Sequence, residues 1–301
     1  MNQFSIKDIE NLSGIKAHTL RIWEQRYQIL VPKRKESKHR IYDNEDLKHI
    51  LRIAYLYHGG LKISKIARLK KEELKKLALD KVPTAHFVDV FINQLMEASI
   101  DFDEERFEKV FNSALVHLGF EKCILQVAYP FLERLGILWM SDNVIPAQEH
   151  FASNIIKRKI LVAIDGLDIQ TSYNNDLTVL FAPEGEHHEI PLLIMQYLIK
   201  KNGNRTVYFG VNVPLEDLQY YASKTKIQRL FMHVITNLSN KEMDEIVADI
   251  CNSFPAMKVV LSGPLTKQVQ NLPINLTMLQ SLDEMMDYPK TIHGSHNSLR
   301  R

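Results

Sequence analysis

The 301-residue sequence predicts a multidomain α and α/β protein: a helical head, a helical bundle and a C-terminal doubly wound parallel sheet. Residues 5–27 contain two short helical runs around a Ser-Gly pair, and residues 84–166 keep a helical period throughout. Residues 176–288 instead alternate β-rich and helical runs. The predicted domains are residues 1–80, 81–170 and 171–290, followed by a flexible tail at 291–301.

Composition and charge narrow the classes of protein. With 45% hydrophobic and 25% charged residues, the chain is neither disordered, collagen-like nor a coiled-coil rod. No apolar run approaches the roughly 20 residues that cross a bilayer, and the start MNQFSIKDIE lacks the hydrophobic stretch of a signal peptide. We therefore expect a cytoplasmic protein with no membrane partner. Cys123 and Cys251 are too few and too distant in sequence for a disulfide framework or a Cys-rich zinc site.

The net charge of +2 conceals an asymmetry. Residues 1–71 contain 16 Lys and Arg against 7 Asp and Glu, a balance of +9. The remaining residues contain 22 against 29, a balance of −7, and the two balances sum to +2. A basic head on an acidic body predicts that a polyanion binds to the head alone.

The head begins with a predicted helix-turn-helix. Ser5 is placed to cap a first helix, and Ser13-Gly14 ends that helix because glycine tolerates the backbone of a sharp turn. A second helix over Ala17 to Tyr27 is expected to bury Leu20 and Trp23 and to fit the major groove of DNA. The loop that follows is basic and ends in Arg40-Ile41-Tyr42, which suits contacts with phosphates. A third helix starts at Asp43 or Asn44 and stops at Gly59-Gly60, and a fourth covers 61–69.

These motifs resemble the MerR family of winged-helix transcriptional regulators. The matching segments are I-x-x-L-S-G-I at 9–15, T-L-R-I-W-E-x-R-Y at 19–27, P-x-R at 32–34, R-x-Y at 40–42 and G-G-L-K-I-S-K-I at 59–66. The resemblance implies a double-stranded DNA operator as partner. It implies that the groove-reading helix contacts DNA through Lys16, His18, Thr19, Arg21 and Tyr27. It implies that the wing does so through Arg34, Lys38, Arg40 and Tyr42. The alternative for Trp23 and Tyr27 is that they are core aromatics, and we expect Trp23 to be buried.

The chain departs from the common plan of that family after the head. Many members continue into one long dimerisation helix with metal-binding cysteines beside it. Here a short helix over 71–79 runs into Pro83, which interrupts any continuing helix, and no cysteine lies nearby. Metal or thiol sensing by that route is not expected.

Four helices are predicted in the middle segment, at 85–99, 103–117, 120–138 and 147–165, and short links between them imply a four-helix bundle. Trp139, Glu149 and His150 stand out near the ends of the last two helices. On their own, these residues are better explained as a core-capping aromatic and an ordinary exposed helix start.

The spacing W-x9-E-H and the preceding L-E-R-L-G-x-L-W resemble the cobalamin-cap bundle of the CarH/CarA-type light-responsive regulators. The resemblance implies adenosylcobalamin as cofactor. It implies that Trp139 packs against the adenosyl group and that Glu149 contacts it. It further implies that His150 ligates the upper side of cobalt after light breaks the cobalt–carbon bond. A large aromatic and a neutral imidazole suit these roles.

In the C-terminal segment, predicted strands at 177–182, 205–210, 227–235, 257–263 and 275–279 are separated by helical runs at 188–202, 214–224, 239–252 and 281–287. Ligands of such sheets bind at the carboxyl ends of the strands. No G-x-G-x-x-G follows the first strand, so a dinucleotide is not favoured.

The loop from Ala182 to Pro191 resembles the loop of cobalamin-binding domains, in which an acidic residue precedes a histidine by two positions. The resemblance makes His188 the lower axial cobalt ligand and Glu186 the acid that orients it. It also assigns Ser262 and Gly263 to the paired glycines that leave room for the cofactor. Pro191 stands where the motif has glycine, and no Ser-x-Leu is found near 232–236. The alternative is that His188 is an exposed loop histidine.

Together these features predict a DNA-binding transcriptional repressor that senses adenosylcobalamin and light, without catalytic turnover. Ligand-controlled homo-oligomerisation, as a dimer or tetramer, is expected. One alternative is a cobalamin-independent regulator that uses its C-terminal module for dimerisation or for a regulatory partner protein. Another is a cobalamin-dependent methyl-transfer enzyme, against which the basic head and the lack of a substrate barrel argue.

Overall fold

The computed structural model describes residues 4–30, 33–34, 40–58, 60–80, 87–140, 145–167, 176–239 and 241–292. The chain divides into two compact units, Met1–Ile156 and Lys157–Arg301, which are treated separately below. The predicted boundaries at 80, 170 and 290 stay predictions, and the predicted tail lies outside the described residues from 293 onward.

The first unit starts with the predicted helix-turn-helix. Its helices are α1 (Ile6–Ser13) and α2 (Ala17–Tyr27). Ser5 caps α1 in a capping box: its hydroxyl accepts from the Asp8 N–H, while the Asp8 carboxylate accepts from the Ser5 N–H. Gly14 ends the helix at φ 68°, a left-handed conformation that glycine adopts without strain. The predicted turn at Ser13-Gly14 is therefore confirmed.

The rest of the head contains a small antiparallel wing and three helices. The wing strands are β1 (Lys33–Arg34) and β2 (Arg40–Ile41), with Arg34 opposite Arg40. The helices are α3 (Asn44–His58), α4 (Ile63–Ile66) and α5 (Lys71–Asp80). Asp43 caps α3, since its Oδ1 accepts from the N–H groups of Glu45 and Asp46.

Helices also form the middle segment. They are α6 (Phe87–Asp101), α7 (Glu104–Leu118), α8 (Phe120–Cys123), α9 (Tyr129–Met140) and α10 (Pro146–Asp165), with a π-helical turn at Ile124–Ala128 between α8 and α9. Phe107, Phe111 and Phe131 are fully buried, and the ring of Phe107 packs against both of the others. The sequence pattern did not predict the π-helical turn, which leaves the chain helical from 120 to 140.

Within the second unit, the described strands form one parallel sheet in the order β4-β3-β5-β6-β7. The strands are β3 (Leu177–Pro183), β4 (Arg205–Val213), β5 (Arg229–His233), β6 (Lys258–Ser262) and β7 (Leu276–Leu279). The helices are α11 (Ile190–Lys201), α12 (Leu215–Lys224), α13 (Met243–Ser253) and α14 (Leu282–Thr291). The predicted doubly wound sheet is confirmed.

Two buried clusters cover the two faces of this sheet. Leu218 of α12 and Val247 of α13 belong to one cluster, while Leu192 of α11 and Met285 of α14 belong to the other. Because β4 lies on one side of β3 and β5 on the other, the direction in which successive strands are added to the sheet reverses at β3. Loops that follow the strands at such a switch point form the usual ligand site of this fold.

Neither cysteine is reactive in this fold. Burial raises the pKa of the Cys123 thiol to about 12 and that of Cys251 to about 11, so both thiols stay protonated near neutral pH. Among the helices that the structure describes, none combines the length and apolar character needed to cross a membrane.

Candidate functional sites

The solvent face of α2 is the candidate DNA-reading surface. His18, Arg21, Ile22 and Gln25 follow one another at helical spacing and are all exposed. Thr19 is half-buried beside them. Ile22 and Gln25 were not predicted, although their spacing from His18 on the second helix was a usable signal. Ile22 is 40% exposed, so its side chain is accessible on this face.

The two residues predicted at the ends of α2 lie beside this face. Lys16 occupies the position before the first turn, is exposed, and pairs with Glu10 at 3.2 Å from Nζ to Oε1. Tyr27, in the last turn, is half-buried, and the guanidinium of Arg26 lies 5.5 Å from its ring centroid. The predicted place of both residues on the groove-reading surface stays a prediction.

Buried Glu24 of α2 binds two of the residues that we predicted as phosphate contacts. The Tyr42 hydroxyl donates to Oε1 at 2.8 Å, and Arg40 Nε donates to Oε2 at 2.9 Å. Tyr42 is only 1% exposed, so its predicted contact with DNA is wrong. A buried carboxylate needs such donors, and they tie β2 to α2. Burial and the adjacent Glu24 raise the pKa of Tyr42 above its ordinary value.

The remaining wing residues are only partly described. The backbone of Arg34 lies in β1, but its side chain and the whole of Lys38 lie outside the described residues. Their contacts with phosphates stay predictions.

At the start of α10, Glu149 and His150 form a pair, with 2.9 Å between Oε2 and Nδ1. The His150 side chain is 70% exposed, which leaves this imidazole accessible from solvent. Trp139 is the penultimate residue of α9, but its side chain lies outside the described part of the chain. The predicted roles of these three residues therefore stay predictions.

The candidate site whose contacts are best defined lies in the loop between β3 and α11. Glu186 is 1% exposed, and its Oε1 lies 2.7 Å from both the backbone nitrogen and Nδ1 of His188. Its Oε2 accepts from the N–H groups of Ile235 and Thr236, the latter at 2.8 Å. Burial alone would raise the pKa of Glu186. The hydrogen bonds from His188, Thr236 and Ile235 outweigh that effect and lower the pKa to about 2.

The ionised Glu186 has a direct consequence for His188. A carboxylate accepts only, so Nδ1 of the neutral imidazole carries the proton and Nε2 carries the lone pair. His188 is 47% exposed, which makes this lone pair compatible with an incoming metal. A carboxylate behind a histidine is the usual arrangement that orients a metal-binding imidazole and raises its basicity.

Neighbouring loops hold the Glu186 loop in place. The Gly185 N–H donates to Asn212 Oδ1 at 3.0 Å, and Leu238 N–H donates to the Gly185 carbonyl at 3.1 Å. Gly185 has φ 82°, and a Cβ there would lie 2.5 Å from the backbone nitrogen of Ser239. The loops after β3 and β5 and the last residues of β4 therefore converge at the switch point of the sheet. Pro191 lies in the first turn of α11, where proline is compatible with a helix.

Ser262 and Gly263 lie at the end of β6, against the end of β5. The buried Ser262 hydroxyl is 2.8 Å from His233 Nδ1 and 3.3 Å from the Met232 carbonyl oxygen. Gly263 has φ 103°, and a Cβ there would lie 2.3 Å from the Val234 carbonyl oxygen. Burial lowers the pKa of His233 to about 4, so this imidazole is neutral. His233 was not predicted, because its position continues the apolar run of a strand.

The Glu186–His188 pair has the chemistry needed to bind cobalamin. The cobalt of this cofactor would be held by a neutral imidazole, which is a good ligand for transition metals. His188, with its lone pair on Nε2 and Glu186 behind it, is such an imidazole.

Comparison with known proteins gives two family matches and relatives over most of the chain. Residues 4–73 match the family described as MerR HTH family regulatory protein, and residues 91–163 match the family described as B12 binding domain. The chain is 22% identical over 258 residues to the HTH-type transcriptional repressor CarH of Myxococcus xanthus, covering 84% of this chain and 85% of CarH. It is 24% identical over 261 residues to the repressor CarA of the same organism, covering 86% and 85%. The structure of the Methanosarcina barkeri monomethylamine corrinoid protein superposes with a TM-score of 0.52 at 14% identity, covering 67% of this chain and 98% of that one.

The fold and these matches define a transcriptional regulator that joins a MerR-type helix-turn-helix to a B12-binding-type helical domain and a Rossmann-like parallel sheet. Within that class, the chain is homologous to the CarH and CarA repressors over most of its length. The predicted resemblance and the predicted fold class are both confirmed.

Proposed function

We propose that this protein is a DNA-binding transcriptional repressor that binds adenosylcobalamin and responds to light. The observation that carries the proposal is the Glu186–His188 pair, a buried ionised carboxylate that orients a half-exposed imidazole at the switch point of a parallel sheet. The matches to a B12 binding domain and to two repressors support the same reading.

The proposed roles of the cofactor residues follow from their chemistry. His188 would hold the cobalt through Nε2, and Glu186 would keep Nδ1 protonated. When bound, adenosylcobalamin supplies a cobalt–carbon bond that light breaks. Trp139 and Glu149 are assigned to the adenosyl group, and His150 to the upper side of cobalt after illumination, because its imidazole is accessible.

The proposed DNA partner is a double-stranded operator read by α2. His18, Arg21, Ile22 and Gln25 form the face that enters the major groove, while Lys16 and the wing contact phosphates. A homo-oligomer, dimer or tetramer, whose assembly depends on adenosylcobalamin and light is the proposed means of repression. Ligand-dependent assembly of this kind requires the ligand to bind the assembled state more tightly than the other.

Cofactor uptake is tested by incubating the full-length protein with adenosylcobalamin in the dark and passing it through a gel-filtration column. We expect cobalamin absorbance to co-elute with the protein and the elution volume to change after illumination. His188→Ala should lose most of the bound cobalamin. His187→Ala, an exposed histidine of the same loop, is the matched control and should retain it. A colourless wild-type protein contradicts the proposal.

DNA binding is tested separately, with an operator selected by the full-length protein from a random duplex library. Arg21→Ala should weaken binding, and His188→Ala should leave the affinity of the cobalamin-free protein unchanged. If no sequence is enriched, the repressor part of the proposal fails while the cobalamin part stands.

A regulator that takes no cobalamin is the second candidate. It is favoured by Ser262, whose hydroxyl is engaged inside the protein by His233 and Met232 rather than facing open space. Normal operator binding by a protein that stays colourless in the dark would establish this candidate.

A further inference from the structure

The last turn of α6 lies between α10 and the DNA-binding head, entirely within the first unit. The Ile100 carbonyl accepts from Gln148 Nε2 of α10 at 3.0 Å. The next residue, Asp101, pairs with Lys48 Nζ of α3 in the head. Phe102 then packs edge-on against Phe151 of α10, with ring centroids 5.6 Å apart. Three consecutive residues thus contact α10 and the head in turn.

On the head side, the contact is a buried charge cluster. Glu97, one turn before Asp101, accepts at Oε2 from Arg52 of α3 at 3.0 Å and from Arg106 of α7 at 2.8 Å. Glu97 is buried, so loss of either arginine would leave a carboxylate poorly compensated. Lys48 is also buried and bridges Asp101 and Glu45, whose Oε1 lies 2.9 Å from Nζ. These ion pairs hold α3 in one position on α6.

On the α10 side, the contact is a buried amide. Gln148 accepts from the Ile145 N–H at 3.2 Å through Oε1, while its Nε2 donates to Ile100. Its neighbours in sequence are Glu149 and His150, the residues proposed to meet the cofactor. Any ligand that displaces the first turn of α10 must therefore either carry Ile100 with it or break a buried hydrogen bond.

We propose that the last turn of α6 together with Phe102, residues 97–102, couples cobalamin binding at the start of α10 to the orientation of the DNA-binding head. This inference rests on the proposed function. The turn is bonded to both sides through groups that are costly to leave unpaired, so a displacement on one side is transmitted to the other. Because coupling between two binding sites is reciprocal, operator DNA also changes the affinity for adenosylcobalamin by the same factor.

The test is a matched pair of substitutions on α6. Asp101→Asn removes the charge that reaches Lys48 of the head, whereas Asp89→Asn removes one that pairs with Arg134 of α9 at 3.1 Å. Both aspartates have side chains that are 40% exposed, so both variants should fold. Operator affinity of the full-length protein is measured with and without adenosylcobalamin in the dark, and the ratio of the two affinities is the coupling factor.

We expect the coupling factor of Asp101→Asn to differ from that of the wild type by at least about twofold, in the direction of one. A change of this size is at the lower end of the effects seen for substitutions along coupled networks. Asp89→Asn should leave it unchanged, and both variants should take up adenosylcobalamin normally. A wild-type coupling factor of one, or equal factors in the two variants, overturns the inference. A wild-type protein that takes up no cobalamin or selects no operator contradicts the proposed function instead.

Hydrogen exchange supplies a readout that does not depend on DNA. Adding adenosylcobalamin to the wild type should change the protection of amides in 145–151, in 97–102 and in α3. In Asp101→Asn, the change in α3 should shrink while that in 145–151 persists. A change in α3 of equal size in Asp101→Asn and Asp89→Asn would mean that the signal does not pass through this turn.

Discussion

Glu186 should be among the positions of the second unit at which a substitution lowers folding stability most. Glu186→Gln tests whether the ionised carboxylate is the reason. The carboxylate accepts from two backbone N–H groups of the loop after β5, from the His188 N–H and from His188 Nδ1. A glutamine amide offers one acceptor oxygen, and its NH₂ group would face N–H donors. The substitution therefore leaves buried donors without an acceptor while hardly changing the size of the side chain.

The magnitude follows from the pKa of Glu186. Lowering it from 4.5 to about 2 corresponds to about 3 kcal/mol of folding free energy at neutral pH. Because the folded-state pKa is the lower one, this stabilisation is fully present above pH 4.5 and is lost as the pH falls through about 2. The difference between wild type and Glu186→Gln should therefore shrink steadily below pH 4.5.

Urea unfolding followed by far-UV circular dichroism measures this difference. Tryptophan fluorescence does not serve, because Trp23 and Trp139 both lie in the first unit. Glu184→Gln is the matched control, since Glu184 is exposed on the same loop. If the two variants differ by less than about 0.5 kcal/mol at pH 7, the scale expected for a surface substitution, the reasoning from the ionised carboxylate is refuted.

Three further outcomes are expected. Tyr42→Phe should lower the free energy of unfolding by about 1–3 kcal/mol in thermal denaturation, because Glu24 loses a buried donor; unchanged stability would contradict the proposed packing role. Ile22→Ala should reduce the preference of the protein for thymine over uracil at one operator position, measured by fluorescence anisotropy, since uracil lacks the methyl group that an apolar side chain contacts. Equal discrimination by wild type and variant would remove Ile22 from the base-reading set. Gly263→Ala should lower the melting temperature or prevent folding, because its Cβ would lie 2.3 Å from the Val234 carbonyl oxygen; a stable variant would show that β5 and β6 can separate there.

Local signals in the sequence were sufficient for the elements and for one functional pair. The capping Ser5, the left-handed Gly14 and the change of period after residue 176 each depend on neighbours within one turn or strand. Glu186 and His188 are two residues apart, and the resemblance of their loop to that of cobalamin-binding domains predicted that they would interact.

What the sequence could not reveal depends on residues that are distant in the chain. Tyr42 has the polar tip of a phosphate contact, and only the position of Glu24, 18 residues earlier, shows that it points inward. The groups that hold Oε2 of Glu186 are backbone N–H groups at 235 and 236, and a backbone group has no signature in residue type. Gln148 likewise resembles any surface glutamine until its partner, the Ile100 carbonyl, is known.

The ion pairs of the head change what its basic charge can do. Of the 16 lysines and arginines in residues 1–71, Arg40 is bound to Glu24, and Lys48 and Arg52 are held against carboxylates of α6. Each phosphate that a free cation neutralises releases condensed counterions, with a slope of about 0.9 in log affinity against log salt. A cation already bound to a carboxylate releases none unless it gives up that partner. We therefore expect binding to the proposed operator to depend on ionic strength less steeply than the charge of the head implies, with a larger share of the affinity coming from the non-ionic contacts of α2.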